Sequence, residues 1–203
     1  IRVLDFGRHI AGPFCATMLA DMGAEVIRIE KLSGSEDRYT APVTDAGHGA
    51  TFLQMGRNKR GLTLNPMKPE AKPVLERLVR SADVVIANLP LPTLEAMGID
   101  YNSLVAIKPD IILTHISAFG ADGPYGGFPG YDGIIQAMVG HFTINGAPES
   151  GPTRLGLAMV DIGTGLYAGN AILMALLERE RSGIGQYLDM TLYDCGLALM
   201  HPH

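Results

Sequence analysis

The sequence predicts an α/β fold, an open and mainly parallel sheet with flanking helices, and three observations carry that prediction. Apolar runs of strand length alternate with helical patterns along the chain. The first three segments, 1–6, 13–22 and 24–30, have the strand–helix–strand spacing of a βαβ unit, which sets its strands parallel with a right-handed crossover. Hydrophobic residues make up 47% of the chain and charged residues 18%, enough apolar material for a doubly covered sheet and too little charge for a disordered one.

The first strand is IRVLDF, residues 1–6. A turn, GRHIAGP, leads into a helix over 13–22, with Pro13 in its first turn and Gly23 after its end. AEVIRIE, 24–30, alternates as a strand. Residues 31–60 are polar and glycine-punctuated and read as a long irregular surface excursion. A short strand, GLTLN at 61–65, precedes a helix over 69–80 and a strand over 82–88. Two short helices follow, at 93–98 and 101–108. The apolar run 111–117 is a buried-type strand that opens into a glycine-rich loop, 120–130. Helices are expected at 131–140 and 163–181, then a strand at 186–191 and a last helix from Leu192.

A net charge of −5, with 21 acidic residues and no basic stripe, argues against nucleic-acid binding. The basic string 57–60, RNKR, is local and of a size to meet a phosphate. Cys15 and Cys195 are too few for a disulfide framework and sit in apolar helical patterns, as buried thiols of a cytoplasmic protein would. Arg2 and Asp5 interrupt the opening apolar pattern, so no secretory leader is expected, and no stretch reads as a membrane span. His9, His48, His115 and His141 share no ligand spacing, and His201 and His203 sit at the end; no metal site is expected. Ten methionines fall mostly on apolar helical faces and serve as core filler.

In an open parallel sheet, ligands gather beyond the carboxyl ends of the strands. The first such loop opens a helix and holds Gly7 and Gly12, so it can offer backbone amides to an anion, or be an ordinary turn. It lacks G-x-G-x-x-G, which counts against a nicotinamide or flavin site, and neither a G-x-S-x-G elbow nor a P-loop occurs. Asp161 stands out among the acids. In LAMVDIGTG it follows an apolar run and precedes two glycines and a long helical pattern. The helix dipole there favours its ionised form, which is a nucleophile for an activated carbonyl. Amides at Gly163 and Gly165 are candidates to steady the oxyanion. The competing reading is a plain helix cap.

Six strings in order resemble CoA-transferase family III: AGPFCATMLADMGAEVIRIE, NKRGLTLN, ADVVIANLPLPTLEAMGI, NSLVAIKPDIILTHISAFGADGPY, PGYDGIIQAMVG and RERSGIGQYLDMTLYD. The family includes formyl-CoA transferase, carnitine CoA-transferase and α-methylacyl-CoA racemase. The resemblance implies a Rossmann-like large domain, of which residues 1–203 are the N-terminal part that binds CoA and performs catalysis. Both chain ends read as cut, and the family's small domain and C-terminal return segment are absent from these residues. It further implies an acyl-CoA thioester and a small carboxylic acid as substrates, no permanently bound cofactor, and an interlocked homodimer.

By the same resemblance Asp161 matches the family nucleophile. Ile10 and Ala11 match first-loop residues that meet CoA, and Lys31 stands where transferases often carry an arginine near the nucleotide. Leu64, Asn65, Pro66 and Met67, then Asn88, Leu89 and Pro90, then Pro129, Gly130, Tyr131 and Asp132 match further CoA-lining segments. Three departures bear on function. Ala96 replaces an arginine of some transferases, a role that Lys68 is placed to take over; NLPLP departs from the usual adenine-pocket string; and Tyr131 replaces the histidine of the racemases. Tyrosine is a poor proton carrier near neutral pH, which disfavours an acyl-CoA racemase or epimerase relative to an acyl-CoA:carboxylate CoA-transferase. A non-catalytic CoA-binding paralogue is the remaining alternative.

Overall fold

The computed structural model describes residues 1–200; the His201 and His203 pair lies outside the described residues. In chain order the elements are β1 (Arg2–Asp5), α1 (Ala11–Asp21), β2 (Glu25–Glu30), α2 (Ala50–Met55), β3 (Lys59–Thr63), α3 (Lys72–Ser81), β4 (Val84–Ala87), α4 (Leu91–Met97), α5 (Tyr101–Ile107), β5 (Ile112–Ser117), α6 (Asp132–Met138), α7 (His141–Ile144), α8 (Met159–Ser182), β6 (Tyr187–Thr191) and α9 (Leu192–Ala198). All strand pairs are parallel, in the order β3-β2-β1-β4-β5-β6. The order reverses between β1 and β4, which places a topological switch point at their carboxyl ends.

Side-chain alternation along the strands divides the core in two. Val3, Val26, Val84, Ile86, Ile112 and Ile116 face the side covered by α1, α6, α8 and α9. Leu4, Phe6, Ile29, Val85 and Leu113 face the side covered by α3, α4 and α5. Each such side chain, removed from water, contributes about 1.5–3 kcal/mol before entropy is counted. Local signals fix the small helices. Gly98 adopts φ 67° and ends α4, and the Asp100 carboxylate accepts the Ser103 amide at 3.1 Å to start α5.

The structure corrects four sequence expectations. The 31–60 excursion is not irregular throughout: it holds a 3-10 turn at Glu36–Tyr39, helix α2, and the start of β3. Long-range pairs organise it, which local pattern does not reveal. Arg28 grips both oxygens of Asp37 at 2.8 and 2.7 Å, Arg38 pairs with Glu30, and the Thr17 hydroxyl donates to Met55 O at 2.7 Å. The basic string 57–60 is not a free patch, because Arg57 pairs with Asp21, Lys59 with Asp5 and Arg60 with Glu25. Helix α8 begins at Met159, one turn earlier than expected. Finally, α8 is long and apolar enough to cross a membrane, at 24 residues with an 18-residue window of mean hydropathy 1.4. It is a core helix of this fold, packed on α1, α9, β5 and β6.

Candidate active site

The first turn of α8 is where the acids converge. A helix leaves its first amides without intrahelical acceptors, and here those of Met159, Val160 and Asp161 all have partners. Met159 donates to Leu157 O at 2.9 Å, and the regular ladder begins with Ile162 donating to Ala158 O at 3.0 Å. Val160 and Asp161 donate to one oxygen of Asp132, at 2.8 and 3.2 Å. The cap of α8 is therefore a carboxylate 28 residues away in sequence from Val160, brought in by α6. The other Asp132 oxygen accepts Gln136 Nε2 at 2.6 Å and lies 3.6 Å from Arg154. Asp132 is buried, with both oxygens committed.

Asp161 is the contrasting carboxylate. It lies within α8 instead of ahead of it and makes no side-chain hydrogen bond among the described residues. Removal from water, reinforced by the negative charge of Asp132, pushes its carboxyl up to about 7. Burial and a neighbouring acid thus outweigh the dipole that the sequence suggested would hold it ionised. Nor does it cap the helix, since Asp132 does.

Gly163 and Gly165 serve packing. They sit inside the regular helix, where the backbone ladder engages their amides. A Cβ at Gly165 would lie 2.9 Å from Ala11 O and from Phe14, so the missing side chain lets α8 touch the start of α1. Asp161 stands one turn before Gly165 on the same helix face, the face by which α8 packs on α1.

The other predicted residues follow the carboxyl ends of the parallel strands, and the sheet brings them to one edge. Ile10 is the N-cap of α1, and Ala11 is its buried first residue. Asn88 spans the switch point: its carboxamide accepts Arg8 N at 2.7 Å and donates to Arg8 O at 2.8 Å, which ties the β1 and β4 loops together. Leu89 O meets His115 at 2.9 Å, and exposed Pro90 starts α4. Lys31 is exposed and paired with Glu36. Leu64 donates its amide to Glu30 O at 2.9 Å, Asn65 accepts the Met67 amide at 3.2 Å, Pro66 is buried and Met67 is exposed. Pro129 is exposed, and Gly130 allows close approach to Ala118, where a Cβ would come within 2.8 Å. Tyr131, 67% exposed, sets its ring edge-on to His9 at 6.1 Å, joining the β5 loop to the β1 loop.

Sequence reasoning missed Arg8, His115 and Tyr187. Arg8 is half-buried and donates to Phe6, Gly7 and Ile29 carbonyls at 2.8–3.3 Å, which fastens the ends of β1 and β2. Its place directly after β1 was the available signal; the other two depend on strand neighbours far apart in sequence.

A succinate–glutarate CoA-transferase of Agrobacterium fabrum is 41% identical over 98% of the chain and 52% of its own length. A succinyl-CoA–D-citramalate CoA-transferase of Chloroflexus aurantiacus is 38% identical over 98% of the chain and 50% of its own length. A crystal structure of a CAIB/BAIF family protein from Brucella suis superposes with a TM-score of 0.94 at 39% identity, covering 99% of this chain and 54% of that one. The chain thus spans about half the length of the relatives it matches. Residues 1–203 match the model of CoA-transferase family III, and the chain belongs to that family.

Proposed function

We propose that this chain is the nucleophile-bearing part of an acyl-CoA:carboxylate CoA-transferase, with Asp161 as the covalent catalyst. The observation that carries the reading is the division of labour between two adjacent carboxylates. Asp132 spends its oxygens on the α8 amides and Gln136, while the Asp161 side chain makes no hydrogen bond among the described residues. A carboxylate that gives up little solvation or hydrogen bonding when it reacts is a better nucleophile than a committed one.

In the first step the Asp161 carboxylate attacks the thioester carbonyl, forming a mixed anhydride and releasing CoA thiolate. The thiolate then attacks the Asp161 acyl carbon, giving an aspartyl-CoA thioester and the free donor acid. The acceptor carboxylate attacks that thioester to form a second anhydride and thiolate. Attack by the thiolate on the acceptor carbonyl yields the new acyl-CoA and restores Asp161. Each step exchanges one activated acyl bond for another, so the thioester's energy is kept. Asp161 must be ionised to begin, so the rate of the first step rises with pH through about 7.

CoA lies along the carboxyl edge in this reading, across the loops holding Ile10, Lys31, Leu64–Met67, Asn88–Pro90 and Pro129–Asp132, and the full protein is an interlocked homodimer. The names of the relatives make succinyl-CoA and a short dicarboxylate the first substrates to try. The test is intact-mass analysis of the full-length protein after succinyl-CoA and then hydroxylamine. A hydroxamate mapping to Asp161, lost in Asp161→Ala, supports the proposal. CoA transfer without that adduct, or an adduct on another residue, overturns it.

A further inference from the structure

His115 is buried, at 5% exposure, on β5 beside Ala87 of β4. Its Nε2 lies 2.9 Å from Leu89 O and its Nδ1 lies 3.0 Å from the Tyr187 hydroxyl on β6. A carbonyl only accepts, so Nε2 donates to Leu89 O, and in the tautomer with its hydrogen on Nε2 the Nδ1 atom accepts from the phenol. Burial, with Asp189 adding to it, pushes the Tyr187 phenol up to about 12, which keeps it a donor. The Tyr101 ring lies 5.7 Å from that of Tyr187 and packs it from α5. The row Tyr187–His115–Leu89 thus crosses three adjacent strands and ends on the backbone of the loop after β4. The side chain of Asn88 separately ties that loop to the β1 loop.

We propose that His115 is a positioning residue for the CoA thioester: with Tyr187 it fixes the 88–90 backbone so that the loop is ready to receive the nucleotide part of the substrate. The inference rests on the reading that this loop lines the CoA site, and it goes beyond that reading by assigning the preorganisation to a residue that touches no substrate. A loop held in its binding conformation loses less entropy on association, so removal of the hold weakens binding and leaves the chemical step alone.

The test uses the full-length protein with His115→Asn, His115→Gln and Tyr187→Phe. Gln places an amide hydrogen near the Nε2 position, whereas Asn is too short to reach Leu89 O. Hydrogen exchange of the 88–94 amides reports the hold itself, and direct titration with CoA reports its consequence. Expected are faster exchange in His115→Asn, a Kd for CoA raised about fivefold to tenfold, kcat within about twofold, and recovery of both exchange and Kd in His115→Gln. Tyr187→Phe, which keeps the ring packing, gives a smaller change in the same direction. Unchanged loop exchange in His115→Asn overturns the positioning role. A loosened loop with unchanged CoA affinity overturns its link to the substrate, while absence of CoA binding by the unsubstituted protein overturns the underlying reading.

Discussion

At the scale of single residues, the neighbouring acids Asp132 and Asp161 differ because their partners differ. Asp161 is raised to about 7 by burial and by Asp132. In the unfolded chain its value falls to the ordinary 3.8, so the native state loses stability as pH climbs from about 4 to about 7. Asp161→Asn removes that loss. Its melting temperature is expected to exceed that of the unsubstituted protein at pH 8, reflecting a stabilisation on the order of 2 kcal/mol after solvent screening, and to match it at pH 4. A thermal scan at the two pH values decides this. Asp132→Asn keeps an acceptor for the α8 amides and deletes the charge. The apparent pKa governing Asp161 acylation then shifts down, read from the pH dependence of hydroxylamine-trapped adduct. Asp132→Ala also loses the cap and costs about 1–2 kcal/mol of stability.

At the scale of elements, the seating of α8 on α1 decides where Asp161 stands. The obstacles facing a new methyl at Gly165 are the Ala11 carbonyl and the Phe14 ring, at 2.9 Å. At Gly163 the obstacle is the end of the flexible Leu199 side chain, at 2.5 Å. Backbone cannot step aside as a leucine methyl can. Gly165→Ala is therefore expected to cost more than Gly163→Ala, roughly 2–3 kcal/mol against about 1, by chemical denaturation. It also displaces Asp161 from the α1 N-terminus and lowers trapping, whereas Gly163→Ala keeps most of it. These glycines were read from the sequence as amide donors for an oxyanion. The pattern G-x-G inside a helix serves close packing equally well, and only the neighbouring elements distinguish the two.

For the whole molecule, the ion pair at the end of β1 is a fully buried electrostatic commitment. Lys59 and Asp5 are 2% and 0% exposed, and Lys59 Nζ also donates to Pro13 O at 2.8 Å. Burial alone would raise the Asp5 carboxyl, but Lys59 overrides it and holds the carboxyl below its usual range. Lys59→Met leaves the charge of Asp5 buried without its partner and is expected to cost about 3–5 kcal/mol at pH 7. Because Asp5 then takes up a proton more readily than in the unfolded chain, the deficit shrinks as pH falls toward 4. Urea denaturation at several pH values checks both the size and the trend.

What the sequence determined by itself was the six strands, most of the helices and their parallel arrangement, because strand and helix periodicities and βαβ spacing are local properties of the chain; α2 and α7 were not among them. Asp161 was singled out as a candidate for the same reason: an acid between an apolar run and a glycine-marked helix is a local signal. The folding of the 31–60 excursion was not, since Arg28–Asp37 and Glu30–Arg38 form only after β2 is in the sheet. The start of α8 was misplaced because Asp132, its cap, comes from another helix. Tertiary structure alone decided the state of the acids and the row from Tyr187 to Leu89. A carboxyl's pKa and a histidine's partners depend on desolvation and on groups that meet only when distant strands are side by side.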